Sequence, residues 1–244
     1  MDTTQKRKFL TKISKKVGKA IFDYGMISDG DKVLVCLSGG KDSWTLMDIL
    51  LEKYRSFPIK FSLEAIHIDF GFHQQQIDIP IKKYLTSTNI PFHFIRKPLP
   101  TTDKNINCFW CSWNRRKEIF LLAGKLKFNK IALGHNQDDI VETFLMNLFY
   151  HGEISTMPAK LEMFKGEFHV IRPLVYVTAE ETKKYAELKK LPVIECNCPY
   201  YNSEENFSYR KYIRKMVSEL EKHNKLIKIN IFNSIKRIKQ EYLV

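Results

Sequence analysis

The stretch "VLVCLSGGKDSWTLMDIL", residues 33 to 50, constrains the chain more than any other. Val33 to Leu37 form a continuous apolar run, the pattern of a strand buried on both faces. Ser43, Leu46, Met47, Ile49 and Leu50 then recur with the spacing of a helix packed on that strand. Between the two elements lie Gly39 and Gly40, which permit a tight turn with no Cβ in the way. Backbone N–H groups at such a turn, with the start of a helix dipole behind them, seat an anion. Ser38 and Ser43 add donors and Lys41 adds a point charge. The loop therefore reads as a phosphate cradle. It is not a Walker A loop, because Asp42 follows Lys41 where that motif needs Ser or Thr. It is not G-x-G-x-x-G either.

Downstream, strand-like and helix-like segments alternate. Residues 61–68, 91–95 and 130–134 read as further strands, and 112–126 and 138–149 as helices. This alternation predicts a parallel sheet with helices on both faces, where ligands sit beyond the carboxyl ends of the strands. "SGGKDS", "HIDFGF" and "GHNQDD" all fall at such ends. Residues 5–25 read as a basic amphipathic helix. After Tyr150 the pattern loosens into loops, with Thr178 as the N-cap of a helix over 179–190 and a basic helix over 208–223. The expected organisation is an amino-terminal helix (1–25), one α/β domain (26–200) and a basic helical extension (201–244).

Four clusters carry chemistry. The first is the cradle. The second is "ALGHNQDDIVET", 132–143, where Gly134 ends a strand and Asp138 and Asp139 crowd the following turn. Carboxylates beside a phosphate site hold Mg²⁺, which takes oxygen ligands and keeps waters; an acidic helix N-terminus that only complements the dipole is the plain alternative. The third is Cys108-Phe-Trp-Cys111, two thiols able to grip one metal or cluster, with Cys196 and Cys198 downstream to complete it. Four thiolates suit structural zinc; three leave an open position on an iron–sulfur cluster. Cys36, inside the first strand, reads as a small core hydrophobe. The fourth is a set of basic patches: Arg115, Arg116 and Lys117, then Arg210, Lys211, Arg214 and Lys215 among Tyr200, Tyr201, Phe207 and Tyr209. Cations interleaved with aromatics suit unpaired bases, and a net charge of +13 suits a polyanion. His67, Asp69 and His73 near the end of the second strand are candidates for a nucleotide contact. The sequence has no apolar run of membrane-spanning length and begins with a polar, basic segment, which points to the cytosol.

Taken in order, "SGGKDSWTLM", "HIDFGF", "CFWCSWNRR", "LGHNQDDIVETFLMNLFYHGEISTMPAKL", "VIRPLVYVTAEE" and "LPVIECNCPY" resemble the PP-loop ATP pyrophosphatase superfamily. Within it the chain is similar to the tRNA-thiolating TtcA/TtuA family, nearest to the 2-thiocytidine type. The C-x-x-C separates this branch from the lysidine synthetases, which share the loop but not the cysteines. The resemblance implies a Rossmann-like PP-loop domain that binds ATP through Ser38, Gly39, Gly40, Lys41, Asp42, Ser43, His67, Asp69, Gly134 and Asp139. It implies a nucleobase carbonyl adenylated with Mg²⁺, with Lys41, Asp42 and Asp138 catalytic, followed by replacement of AMP by sulfur. It also implies a [4Fe-4S] cluster on Cys108, Cys111 and Cys198, with Cys196 as the alternative third ligand. The partners it implies are tRNA, contacted by Arg115, Arg116, Lys117, Arg210 and Arg214, a persulfide or sulfide donor, and a second copy of the chain in a homodimer. Cys196-Asn-Cys198 departs from the C-x-x-C of the cytidine type, and "CPY" resembles the type that thiolates a uridine. A cluster-free, lysidine-synthetase-like ligase is the alternative activity.

Overall fold

The computed structural model of the protein describes residues 2–71, 78–97, 108–194 and 209–242. Its centre is a six-stranded sheet of order β3-β2-β1-β4-β6-β5. The strands are β1 (Lys32–Leu37), β2 (Ser62–Asp69), β3 (Phe92–Arg96), β4 (Lys130–Ala132), β5 (Lys160–Met163) and β6 (Phe168–Ile171). All neighbours pair in parallel except β5, which runs antiparallel to β6 at the edge.

Strand β1 lies in the middle because both of its faces are apolar. Val33, Val35 and Leu37 point into one core cluster, while Leu34 points into the other, with Cys36 against its margin. The first cluster lies under α1 (Thr3–Asp23), α2 (Lys41–Ser56) and α6 (Ala179–Lys189); the second lies under α4 (Cys108–Leu126). Helix α1 presents Ile13, Val17, Ala20 and Ile21 to the main core as one stripe. At the other end of the chain, α7 (Tyr209–His223) and α8 (Ile227–Ser234) add Ile213, Val217 and Phe232 to the same core. Helix α3 (Asp78–Thr88) completes the cover over β2 and β3, with Ile81 and Leu85 buried.

The topology fixes where a ligand can sit. The chain steps from β1 outward to β2 and β3, then returns to place β4 on the opposite side of β1. Neighbouring connections leave β1 and β4 in opposite directions, and the gap between them at their carboxyl ends is the switch point of an open α/β sheet. The loop 38–40 and the turn 133–136 both open into that gap.

Helices α1, α4, α6 and α7 occupy the segments the sequence predicts. Thr178 caps α6 in a reciprocal capping box with Glu181. Strands β5 and β6, helix α8 and the start of α4 differ. β5 and β6 stand where loops are expected, because each is only four residues long and β5 is a half-exposed edge that alternates with Lys160 and Glu162. Helix α8 stands within a Lys- and Asn-rich tail whose composition masks it. Cys108 and Cys111 stand in the first turn of α4 rather than in the preceding loop. Among the described residues no helix is long and apolar enough to cross a membrane.

Candidate active site

The phosphate loop closes on itself through its two serines. Ser43 Oγ donates to the Gly40 carbonyl at 2.9 Å and accepts from Ser38 N–H at 3.2 Å, and Ser38 Oγ lies 3.1 Å from it. Gly39 has φ +89°, a conformation that favours glycine, and its carbonyl accepts from Ile194 N–H at 2.9 Å. Gly40 is the N-cap of α2, and no side chain caps that helix. The helix therefore presents its first amides to the gap.

Asp42 is the hub of the gap. Its Oδ1 accepts from Lys41 Nζ at 2.7 Å, from Asn136 Nδ2 at 3.1 Å and from Thr182 Oγ1 at 2.5 Å. Asn136 is also the N-cap of α5 (Gln137–Met146): its side chain takes the Asp138 and Asp139 amides, and its own N–H donates to Asp139 Oδ2 at 3.0 Å. One asparagine thus ties Asp42 to Asp139 across the switch point. Burial, reinforced by Asp42 and Glu142, holds the Asp139 carboxyl above the usual carboxylate range, against the pull of the Asn136 backbone and Arg210. A half-buried carboxylate beside two others has a negative potential that a cation relieves.

Asp138 points elsewhere. Its Oδ2 accepts from Ala179 N–H at 2.7 Å, and its Oδ1 pairs with Lys228 at 2.9 Å. Glu142, nearly buried, holds Arg214 through two bonds of 2.7 and 3.0 Å. Arg210 reaches Thr143 at 3.0 Å and Asp139 at 3.4 Å. Arg210, Arg214 and Lys228 therefore hold the carboxy-terminal helices against α5, the segment that carries the acidic motif. At the end of β2, His67 is buried, donates from Nδ1 to the Leu37 carbonyl at 2.8 Å and stacks on Phe94. Asp69 accepts from Gly71 N–H at 2.7 Å.

The second feature at this edge of the sheet is the start of α4. Cys108 and Cys111 are one turn apart there, so their positions share a helix face. Arg115 follows one turn later, with Nη2 4.0 Å from Cys111 Sγ and its guanidinium over the Phe70 ring. A guanidinium at that range favours a thiolate. Cys36 packs nearby, but burial pushes its thiol up to about 12 against the pull of Arg115, which fits a core residue. Cys196, Cys198, His73, Tyr200, Tyr201 and Phe207 lie outside the described residues, as does the side chain of Cys108. Arg116 and Lys117 are exposed on α4. Thr182 and Lys228 are contacts that sequence reading does not reach: Thr182 hides in the capping segment of α6 and Lys228 in the basic tail.

Residues 5–221 match a family described as the PP-loop domain. The chain belongs to the PP-loop ATP pyrophosphatases. Within them it falls in the tRNA-thiolating TtcA/TtuA family. It is 40% identical to the tRNA-cytidine(32) 2-sulfurtransferase of Janthinobacterium sp. (strain Marseille), over 98% of this chain and 76% of that one. It is equally 40% identical to the protein of the same name from Stenotrophomonas maltophilia (strain K279a), over 89% and 72%. Among solved structures, the U34-tRNA thiolase NcsA from Methanococcus maripaludis, solved with its [4Fe-4S] cluster, superposes with a TM-score of 0.78 at 23% identity, over 98% of this chain and 81% of that one. That likeness extends the PP-loop fold to nearly the whole chain.

Proposed function

We propose that the protein is an ATP-dependent tRNA sulfurtransferase that converts a cytidine of the anticodon loop, at position 32, to 2-thiocytidine. The observation that carries this reading is the placement of two sites on one sheet edge: the cradle with Asp42, Asn136 and Asp139, and the Cys108–Cys111 turn with Arg115. The first suits adenylation and the second suits sulfur chemistry. The names of the sulfurtransferase relatives supply the base and its position.

The geometry suggests the following roles. The amides at the start of α2 and the two serine hydroxyls hold the phosphates of ATP. The C2 carbonyl oxygen of the cytidine attacks the α-phosphorus, and the bond to the β-phosphate breaks. Lys41, already beside Asp42, offsets charge on the departing pyrophosphate. Among the described residues no three acidic, His or Cys side chains converge on one point. Mg²⁺ does not need three, since it takes one or two carboxylates with substrate phosphates and waters. Asp42 and Asp139 fit that role, and when bound the ion would neutralise the phosphates. Asp138, held by Lys228 and Ala179, positions α6 and α8 around the site.

In the second step a sulfur nucleophile attacks C2, and AMP leaves with the former carbonyl oxygen. Cys108, Cys111 and Cys198 would hold the [4Fe-4S] cluster, which supplies an iron with an open position for the incoming sulfur. Cys111, half-buried beside Arg115, fits such a ligand. The donor is sulfide, or a protein persulfide together with a thiol that reduces its outer sulfur to the sulfide level and leaves as a disulfide.

The test is pyrophosphate release from ATP and Mg²⁺ with and without unmodified tRNA. Release that depends on tRNA carrying cytidine 32 supports the reading. Release stimulated instead by a small molecule, with no response to tRNA, contradicts it.

A further inference from the structure

We infer that Arg172, His135 and Arg116 form a phosphate subsite beyond the carboxyl ends of β4 and β6, which takes a backbone phosphodiester of the tRNA beside the target nucleotide. This rests on the sulfurtransferase reading above.

The register builds the subsite. Ala132 pairs with Ile171, and Leu133 N–H donates to the Ile171 carbonyl at 2.9 Å. Just past this last rung the two strands end, and His135 and Arg172 follow within electrostatic range of each other. Phe168, Val170 and Arg172 are spaced two residues apart and share one face, so Arg172 continues the face on which Phe168 meets α4. There Phe168 packs on Phe120, with ring centroids 5.2 Å apart. Helix α4 runs back along the sheet, so Arg116, one turn before Phe120, lies at the same end as Arg172.

The chemistry of the three groups asks for an anion. Arg172 is only 7% exposed. Its Nη1 donates to the Pro158 carbonyl at 2.5 Å, but its Nε is buried with no partner. Arg172 donates to the Pro158 carbonyl and Arg116 to the Ser112 hydroxyl, and neither pairs with a carboxylate among the described residues. A buried cation without a counter-charge is costly, and proteins keep one where a ligand supplies the charge. His135 Nδ1 is also buried and unpartnered. Burial first, then Arg172, Arg210 and Arg116, lower its pKa to about 4, with Asp42 opposing them, so the ring is neutral and polar at ordinary pH. A planar guanidinium offers a phosphate two parallel N–H donors.

The position selects the source of the phosphate. The ATP cradle lies across β4, at β1. Arg116 instead continues outward into an open groove of about 690 Å³ lined by Trp113, Lys117, Phe120 and Phe164. Trp113 and Phe164 are more than half exposed, and Lys117 lies over the Trp113 ring. Exposed rings among cations that pair with no carboxylate among the described residues fit a single-stranded RNA segment and its phosphates.

The test compares the wild-type chain with R116Q and R172K, using an unmodified tRNA transcript carrying cytidine 32 across a range of salt. Arg116 is exposed, so R116Q leaves the fold intact; R172K keeps the charge and removes the fork. Both are expected to weaken tRNA binding by roughly fivefold or more, and R116Q to reduce the salt slope by about one counterion. ATP affinity and melting temperature are expected to match the wild type in R116Q. Unchanged tRNA affinity and slope in both variants overturn the subsite. Weakened ATP or pyrophosphate binding with unchanged tRNA binding assigns it to the nucleotide and overturns it too. Failure of the wild-type chain to bind tRNA is a different result and removes the sulfurtransferase reading itself.

Discussion

Gly134 lies against Ser43 backbone to backbone: a Cβ at 134 would stand 2.9 Å from Ser43 N and 3.0 Å from Ser43 Cα. The end of β4 and the first turn of α2 are therefore in direct contact, and the distance between the cradle and the acidic turn is set by the absence of one carbon. Both partners are main chain, so neither can rotate away. G134A is expected to push the two apart, at a cost of about 1–3 kcal/mol in stability. ATP binding should fall by at least tenfold. Calorimetric titration and a melting curve check this. Wild-type ATP affinity in G134A contradicts the account of the gap.

Asp139 and Asp138 are neighbours with different tasks. Asp139 shares Asn136 with Asp42, whereas Asp138 binds Ala179 N–H and Lys228. D139N is expected to lower tRNA-dependent pyrophosphate release by about 10²-fold or more, the scale of a lost electrostatic contact in a transition state. D138N and K228M should instead lower the melting temperature and reduce the rate to a smaller extent. Magnesium titrations of the rate separate the two. A D138N defect that is larger than that of D139N, with an unchanged fold, reverses the assignment.

The thiol site separates from the nucleotide site by mutation. Protein purified without oxygen is expected to hold about four irons and four sulfides per chain. C108S, C111S and C198S should lose the iron and the thiolation together while retaining tRNA-dependent pyrophosphate release. Metal analysis and an absorption spectrum measure this. Zinc in place of iron, with no thiolated product, points to the cluster-free ligase; full thiolation in C111S removes the cluster from the sulfur step.

His135 links stability to acid. Its folded pKa of about 4 lies below the ordinary histidine value. The unfolded chain therefore binds a proton first as pH falls, and stability from this group, present above about 6.5, is lost on the way down to about 4. The groups facing it are Arg172, Arg210, Arg116 and Asp42. The effect is on the order of 3 kcal/mol across that window. H135Q should flatten that part of a stability-against-pH curve, measured by denaturant unfolding. An identical curve in H135Q removes the linkage.

The parts of the fold that could be read from sequence were those with a long or punctuated pattern. β1, its loop and α2 announce themselves through an apolar run, two glycines and a helical repeat. Thr178 marks the start of α6 by local chemistry alone. β5 and β6 are short, and their pairing is a tertiary matter, so no local period reports them. The site divides the same way. Ser38 to Ser43, Gly134 and Asp139 lie in motifs at strand ends, which the alternation of elements puts on one sheet edge and the family resemblance joins in one site. Arg172 sits in a loop-like segment, and its burial without a counter-charge arises only once β6 is set beside β4. Arg210 and Arg214 look like an RNA-facing stripe in sequence; their carboxylate partners on α5 are more than 65 residues away in the chain.

The most direct measurement is nucleoside mass spectrometry of tRNA incubated without oxygen with the reconstituted protein, ATP, Mg²⁺ and sulfide. The expected product is 2-thiocytidine, formed only with ATP and absent with C111S. A 2-thiouridine product would keep the chemistry and change the base. No thiolated nucleoside, from protein shown to carry its cluster and to bind ATP, would contradict the central claim.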